Sequence, residues 1–128
     1  MEKGIKGTYE MTVTMTDTAS ALLSGNLDVL ATPRMIALME YTAAKSVAPE
    51  LEEGMTTVGT KIDITHDAAT PVGMNVFFET ELIEVDGRRL VFKCEAKDEC
   101  GHIGGGIQER FIVNGDKFMA KVNAKKNA

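Results

Sequence analysis

The chain has no tryptophan, three prolines, two cysteines and only 5% aromatic residues among 128. Each scarcity argues against a class of protein. Cys94 and Cys100 can make one pair at most, and no CxxC or Cys/His ligand spacing accompanies them. Neither a disulfide framework nor structural zinc is supported, and two free thiols in a reducing cytoplasm are expected. Basic residues number 14 against 19 acidic, a net charge of -5, and no basic run is longer than a pair, Arg88-Arg89 and the terminal Lys125-Lys126. Phosphate backbones are held by clustered Lys and Arg, so nucleic acid is not an expected partner. No segment approaches the roughly 20 apolar residues of a membrane span. The opening MEKGIKGTYE lacks the apolar stretch of a signal peptide, which again points to the cytoplasm. With 44% hydrophobic and 26% charged residues, the composition is that of an ordinary domain. Residues 1–128 are expected to fold as one unit that buries a single core.

Strand signals dominate what is present. Residues 8–15 alternate Tyr9, Met11, Val13 and Met15 with Thr8, Glu10, Thr12 and Thr14, the period of a half-buried strand. Asp17 to Gly25 is small-residue-rich and reads as a mobile connection. ATPRMIALMEYTAAK is the one strong helix signal, with Thr32 as N-cap and Pro33 at the first helical position. Met35, Leu38, Met39, Thr42, Ala43, Ser46 and Val47 recur at helical spacing, a stripe wide enough to keep this helix largely covered. Pro49 and Gly54 close it. In residues 57–66, Val58, Thr60, Ile62, Ile64 and His66 alternate with Gly59, Lys61, Asp63 and Thr65. A Pro71/Gly73 turn follows. Runs 74–85 and 88–97 flank Asp86-Gly87, a hairpin signal, and Asp98 to Gly101 separates them from GHIGGGIQERFIV. DKFMAKV reads as a short strand or terminal turn. One strand, a helix and a series of antiparallel strands make an α+β pattern, a sheet of five or six strands curled around one long central helix.

Three polar residues fit a purely structural account least well. Thr32 opens the helix, Glu40 borders its apolar stripe, and His66 ends a strand on the parity of Ile62 and Ile64. An alcohol, a carboxylate and an imidazole are the parts of a hydrolytic site. Each also has a structural reading: N-capping for Thr32, a solvated flank for Glu40, a satisfied strand-end ring for His66. Helical rise separates Thr32 from Glu40 by roughly 12 Å along the axis. One small acyl group does not easily touch both, unless the N-terminal segment folds back or pockets are shared across a dimer. A ring facing the helix beside a buried carboxylate is expected to titrate together with it. His102, next to the Gly101 break, is expected to be exposed.

Taken in order, TPRMIALMEYTA, TTVGTKIDITHDAATPVG, ELIEVDGRRLVFKCEA and GGGIQERFIV resemble the hotdog-fold thioesterases, in the fluoroacetyl-CoA thioesterase-like branch. The resemblance runs from about Val29 to Ala120. It implies the hotdog fold, a homodimer or higher even oligomer formed through edge strands, and hydrolysis of an acyl-CoA in which CoA is substrate and not cofactor. It also implies a catalytic set of Thr32, Glu40 and His66, an active-site glycine at Gly59, and an arginine at Arg110. The segment from Thr18 to Leu30, which precedes Thr32 like a lid, has no aromatic residue. Aromatic lid residues help the family select fluoroacetyl-CoA, so the reaction class carries over better than that substrate.

Several positions keep two readings at this stage. Gly59 is either an oxyanion-hole donor or a simple bulge. Arg110 is either a surface salt bridge or a contact to the active site or CoA phosphates. Gly104 to Gly106 match no nucleotide-binding fingerprint; a bent strand accounts for them, with pantetheine passing over bare backbone as the lesser reading. The eight methionines read as adaptable core. With no cluster of metal ligands, the hydrolysis is expected to be metal-free. Two rivals remain. Enoyl-CoA hydration needs an Asp/His motif that is not found. A non-catalytic acyl-CoA-binding or regulatory hotdog domain has no need of all three polar residues.

Overall fold

The computed structural model describes residues 1–127. Five antiparallel strands form one sheet: β1 (Lys6–Thr12), β2 (Met55–His66), β3 (Asn75–Asp86), β4 (Arg89–Asp98) and β5 (Gly101–Asn114), in the order β1-β3-β4-β5-β2. The sheet curls around α1 (Thr32–Val47). The helical stripe explains the packing. Met35, Leu38, Met39, Thr42, Ala43 and Val47 are buried, and they meet Val76, Phe78, Leu82, Leu90, Phe92 and Cys94 from β3 and β4. Non-directional burial of these side chains against the concave side of the sheet is what holds helix and strands together. The opposite face of α1 is open, with Ala37, Tyr41 and Lys45 exposed, so the helix is covered on one side only.

The β3–β4 hairpin turns at Gly87, whose φ of +60° is the left-handed conformation that a tight turn requires. β1 keeps the expected alternation, with Tyr9 and Met11 inward, but it ends at Thr12 and Met15 begins a single 3-10 turn. The segment read as a connection is tied down. Asp17, 6% exposed, accepts from the Thr14 backbone N–H (2.8 Å) and from Arg34 Nε of α1 (2.8 Å). Thr18 bridges to Leu30, and Val29 to Pro71.

Two expectations are corrected here. DKFMAKV is neither strand nor turn: Gly115–Ala124 forms α2, capped by Asn114 Oδ1, which accepts from the Lys117 N–H at 3.0 Å. The single alternation assumed for residues 57–66 also fails. The register between β2 and β5 shifts between Gly59 and Lys61, leaving Thr60 as an extra residue. A bulge exchanges the two faces of a strand. Thr57 and Gly59 therefore share the inner face with Ile62, Ile64 and His66, while Val58 and Thr60 do not.

Gly104 to Gly106 lie inside β5, opposite His66 to Ile64. Their bare backbone faces the protein itself. A Cβ at Gly104 would come within 2.9 Å of Met35 Sδ and 2.6 Å of the Thr65 carbonyl, so the missing side chain there makes room for the protein's own neighbours.

Candidate functional site

Thr32 and His66 meet at the N-terminal end of α1. Thr32 is the first helical residue and Ala31 is the N-cap, so the capping role expected of Thr32 is not what its side chain does. Pro33 explains why the helix starts without a side-chain cap, since its fixed φ favours the first turn and it has no N–H to satisfy. Freed from capping, Thr32 Oγ1 lies 2.7 Å from His66 Nδ1. His66 Nε2 is buried and has no hydrogen-bond partner among the described residues. Desolvation holds the imidazole pKa below its ordinary value, against the opposing charge of Asp67. The expected pairing of His66 with the Glu40 carboxylate is thus replaced by pairing with a hydroxyl, and burial favours the neutral ring. A cavity of about 260 Å³ opens beside them, lined by Ala19, Ser24, Val29 and Leu30 together with Thr32 and His66.

Glu40 lies further along the same helix and belongs to a second cluster. Its carboxylate, 35% exposed, is 3.4 Å from Arg110 Nη1. Arg110 is only 7% exposed, which rules out the surface salt bridge. Its Nε donates to Thr57 Oγ1 (2.9 Å) and its Nη2 to the Thr57 carbonyl (3.1 Å), so β2 fixes the guanidinium that reaches Glu40. Burial pulls the Arg110 pKa down, and the charge and hydrogen bond of Glu40 pull it back up. Gly59 pairs with Arg110 across the sheet, and a Cβ there would run into Glu40 Oε2 and sit 3.4 Å from Arg110 Nη1. Of the two readings of Gly59, the bulge is present one residue on, at Thr60, and the missing side chain of Gly59 is what leaves room for the Glu40 carboxylate.

A larger groove of about 540 Å³ runs over β1, β3 and β4 past Glu10, Phe77, Glu79 and Lys97, and none of the candidate residues line it. Among the described residues no group of three or more His, Cys, Asp or Glu side chains is placed to hold a metal ion. Cys94 is buried and Cys100 exposed, both as free thiols. His102 is exposed and hydrogen-bonds Asp67 at 2.7 Å, outside both clusters.

The family model described as fluoroacetyl-CoA-specific thioesterase matches residues 13–116, a span that holds both clusters. This chain belongs to that family. A fluoroacetyl-CoA thioesterase from Streptantibioticus cattleyicolor is 44% identical over 98 residues, 77% of this chain and 70% of the relative. The solved structure of the fluoroacetyl-CoA thioesterase FlK superposes with a TM-score of 0.93 at 37% identity, covering 98% of this chain and 97% of that one. A FlK variant solved in complex with acetyl-CoA gives 0.93 at 37%, covering 98% of each chain. The antiparallel sheet around α1 is the hotdog fold of these thioesterases.

Within this thioesterase fold the sequence-predicted residues divide into two pairs, Thr32 with His66 and Glu40 with Arg110, with Gly59 beneath the second. Sequence reasoning missed Thr57 and Gln108. Thr57 sat on what looked like the outer parity, and only the extra residue at Thr60 turns it inward. Gln108 shares strand parity with Gly104, Gly106, Arg110 and Ile112, a face with little apolar character, so the sequence carries no signal that it is buried.

Proposed function

We propose that this acyl-CoA thioesterase hydrolyses a small acyl-CoA to the free acid and CoA with Glu40, His66 and Thr32 as its catalytic residues. The observation that carries the reading is the placement of Glu40. A carboxylate held by a buried arginine against a bare strand glycine, with its side chain still 35% exposed, is a base or nucleophile that water and substrate can reach.

In this scheme Glu40 takes a proton from water as the oxygen adds to the thioester carbon, or adds to that carbon itself. The carbonyl oxygen becomes an oxyanion, for which the Gly59 backbone N–H is the assigned donor. As the C–S bond breaks, the departing sulfur needs a proton. His66, neutral and hydrogen-bonded to the Thr32 hydroxyl, relays to it the proton that Glu40 took from water. Where Glu40 has itself added, one water cleaves the resulting mixed anhydride to the free acid, which restores the carboxylate, and His66 passes that water's proton to the sulfur. Arg110 orients Glu40 and is itself anchored by Thr57. CoA enters as substrate and leaves as product, and no step calls on a metal or a bound cofactor.

The two pairs are separated along α1, and a homodimer would bring them together. β2 is an edge strand of twelve residues with Ile62 40% exposed. An unpaired edge of that length invites a second strand. Antiparallel pairing of two β2 strands along this edge would bring the His66 end of each strand toward the Gly59 end of its partner and so complete a site from both chains. The working compartment in this reading is the cytoplasm, consistent with free Cys94 and Cys100.

Free-thiol release from acetyl-, propionyl- and butyryl-CoA, by the parent and by Glu40→Gln, tests the reaction. Release by the parent that falls at least 100-fold in the variant supports the proposal. Equal release by both removes Glu40. Sedimentation at micromolar concentration tests assembly, and a fully active monomer would overturn the shared site.

A further inference from the structure

We infer that Gln108 is a positioning residue for this hydrolysis, fixing the turn of α1 that presents Glu40; the inference rests on the catalytic role proposed for Glu40. Gln108 is 1% exposed, on the inner face of β5 between Ile62 of β2 and Phe92 of β4. Its Nε2 donates to the Met39 carbonyl at 3.0 Å and to Cys94 Sγ at 3.1 Å. Its Oε1 is buried without a hydrogen-bond partner among the described residues. A buried amide with an unpaired oxygen is less favourable than an apolar side chain of the same length. Core stability alone would therefore place Met or Leu among these neighbours.

What the amide supplies is direction. Apolar contacts between a helix and a sheet tolerate small rotations and slides, whereas a hydrogen bond to one particular carbonyl does not. The carbonyl chosen belongs to Met39, the residue immediately before Glu40. Two residues along the same face of β5, Arg110 reaches the Glu40 carboxylate itself. One strand thus grips one helical turn twice, once by backbone and once by side chain. Met39 O can only accept, so the NH₂ of Gln108 must face it, and this leaves Oε1 unpaired. The Cys94 contact cannot serve the same purpose. Burial pushes that thiol up to about 11, so it is neutral, and it lies on β4, where its contact with α1 is apolar packing and its hydrogen-bond partner is Gln108 itself.

The test is a double-mutant cycle on the full-length chain, with kcat, KM and thermal midpoint measured on whichever of acetyl-, propionyl- and butyryl-CoA the parent cleaves fastest. Gln108→Met removes the amide at nearly constant length. We expect kcat to fall about tenfold or more with KM within about twofold of the parent, as for a displaced catalytic group. In a Glu40→Gln background the same change should cost less than about twofold, because there is no longer a carboxylate to position. Cys94→Ala, which removes the other contact of the amide, should leave kcat unchanged. An unchanged kcat in folded Gln108→Met, an equal loss in both backgrounds, or an equal loss in Cys94→Ala would overturn the inference. Should Gln108→Met fail to fold, Gln108→Asn keeps the amide but withdraws it by one methylene, and the same outcomes apply. Full activity in Glu40→Gln would instead remove the reading on which the inference stands.

Discussion

Thr32 and His66, separated by 34 positions in the chain, are joined by a 2.7 Å contact between Oγ1 and Nδ1, while the other ring nitrogen of His66 is buried and has no hydrogen-bond partner among the described residues. The hydroxyl that a helix terminus would ordinarily use as a cap is committed to a ring on the neighbouring strand. Thr32→Ala should therefore lose turnover while shifting stability only by about 1 kcal/mol, the scale of one hydrogen bond. Thr32→Ser keeps the hydroxyl and should retain most of the turnover. Parallel measurement of kcat and thermal midpoint checks this, and a serine variant as inactive as the alanine one would remove the hydroxyl from the mechanism.

Gly59→Ala is predicted to be more damaging to turnover than to folding. The added methyl meets the end of a flexible side chain, Glu40 Oε2, and not backbone, so the carboxylate gives way. A loss of about tenfold to a hundredfold in kcat is expected, with little change in melting temperature. A fully active alanine variant would show that the carboxylate has no fixed working position.

Thr57→Val should act on Glu40 at one remove. The substitution keeps the shape of a β-branched side chain and deletes the acceptor for Arg110 Nε, leaving a buried guanidinium N–H unpaired. Destabilisation by about 1–3 kcal/mol is expected, together with reduced kcat. Chemical denaturation and steady-state kinetics on one preparation separate the two effects.

The pH dependence follows from burial of the imidazole. Desolvation holds the His66 pKa below its ordinary 6.5, so the ring is neutral in the folded protein at neutral pH. Below about pH 6.5 the unfolded chain binds a proton that the folded chain resists. The contribution to stability is therefore intact above that value and is lost as pH falls through the depressed pKa. His66→Gln should flatten the acid side of the stability profile. In the parent, the acid limb of kcat/KM assigned to His66 should lie below 6.5. A limb above 6.5 that vanishes in His66→Gln would show that the ring gains charge where the structure disfavours it.

Much of this fold can be read from periodicity. The stripe on α1, the Asp86-Gly87 hairpin and the alternation of β1 each follow from local chemistry acting on a few neighbouring residues. The errors came where a distant partner or a count of one decides the outcome. Thr32 has the chemistry of a cap, and only the approach of His66 from β2 shows where its hydroxyl goes. DKFMAKV carries no strong period, and the Asn114 cap that starts α2 is a single hydrogen bond. Arg110 looks like any surface arginine until Thr57 and Glu40 are seen around it. Of the site, the residue types were legible through the family resemblance, but their division into two pairs was not.

The extra residue in β2 makes the site depend on arithmetic in the chain. From Met55 to Gly59 the inward face falls on odd-numbered residues; from Ile62 to His66 it falls on even ones, and Thr60 is where the count changes. Deleting that one exposed threonine would leave every residue of both clusters in the sequence. It would nonetheless force a choice on the strand: keep Gly59 beneath Glu40 and turn His66 outward, or keep His66 beside Thr32 and turn Gly59 away. The two halves of the site are thus held in phase by a residue that takes no part in either, and a search for matching side chains alone would pass over it.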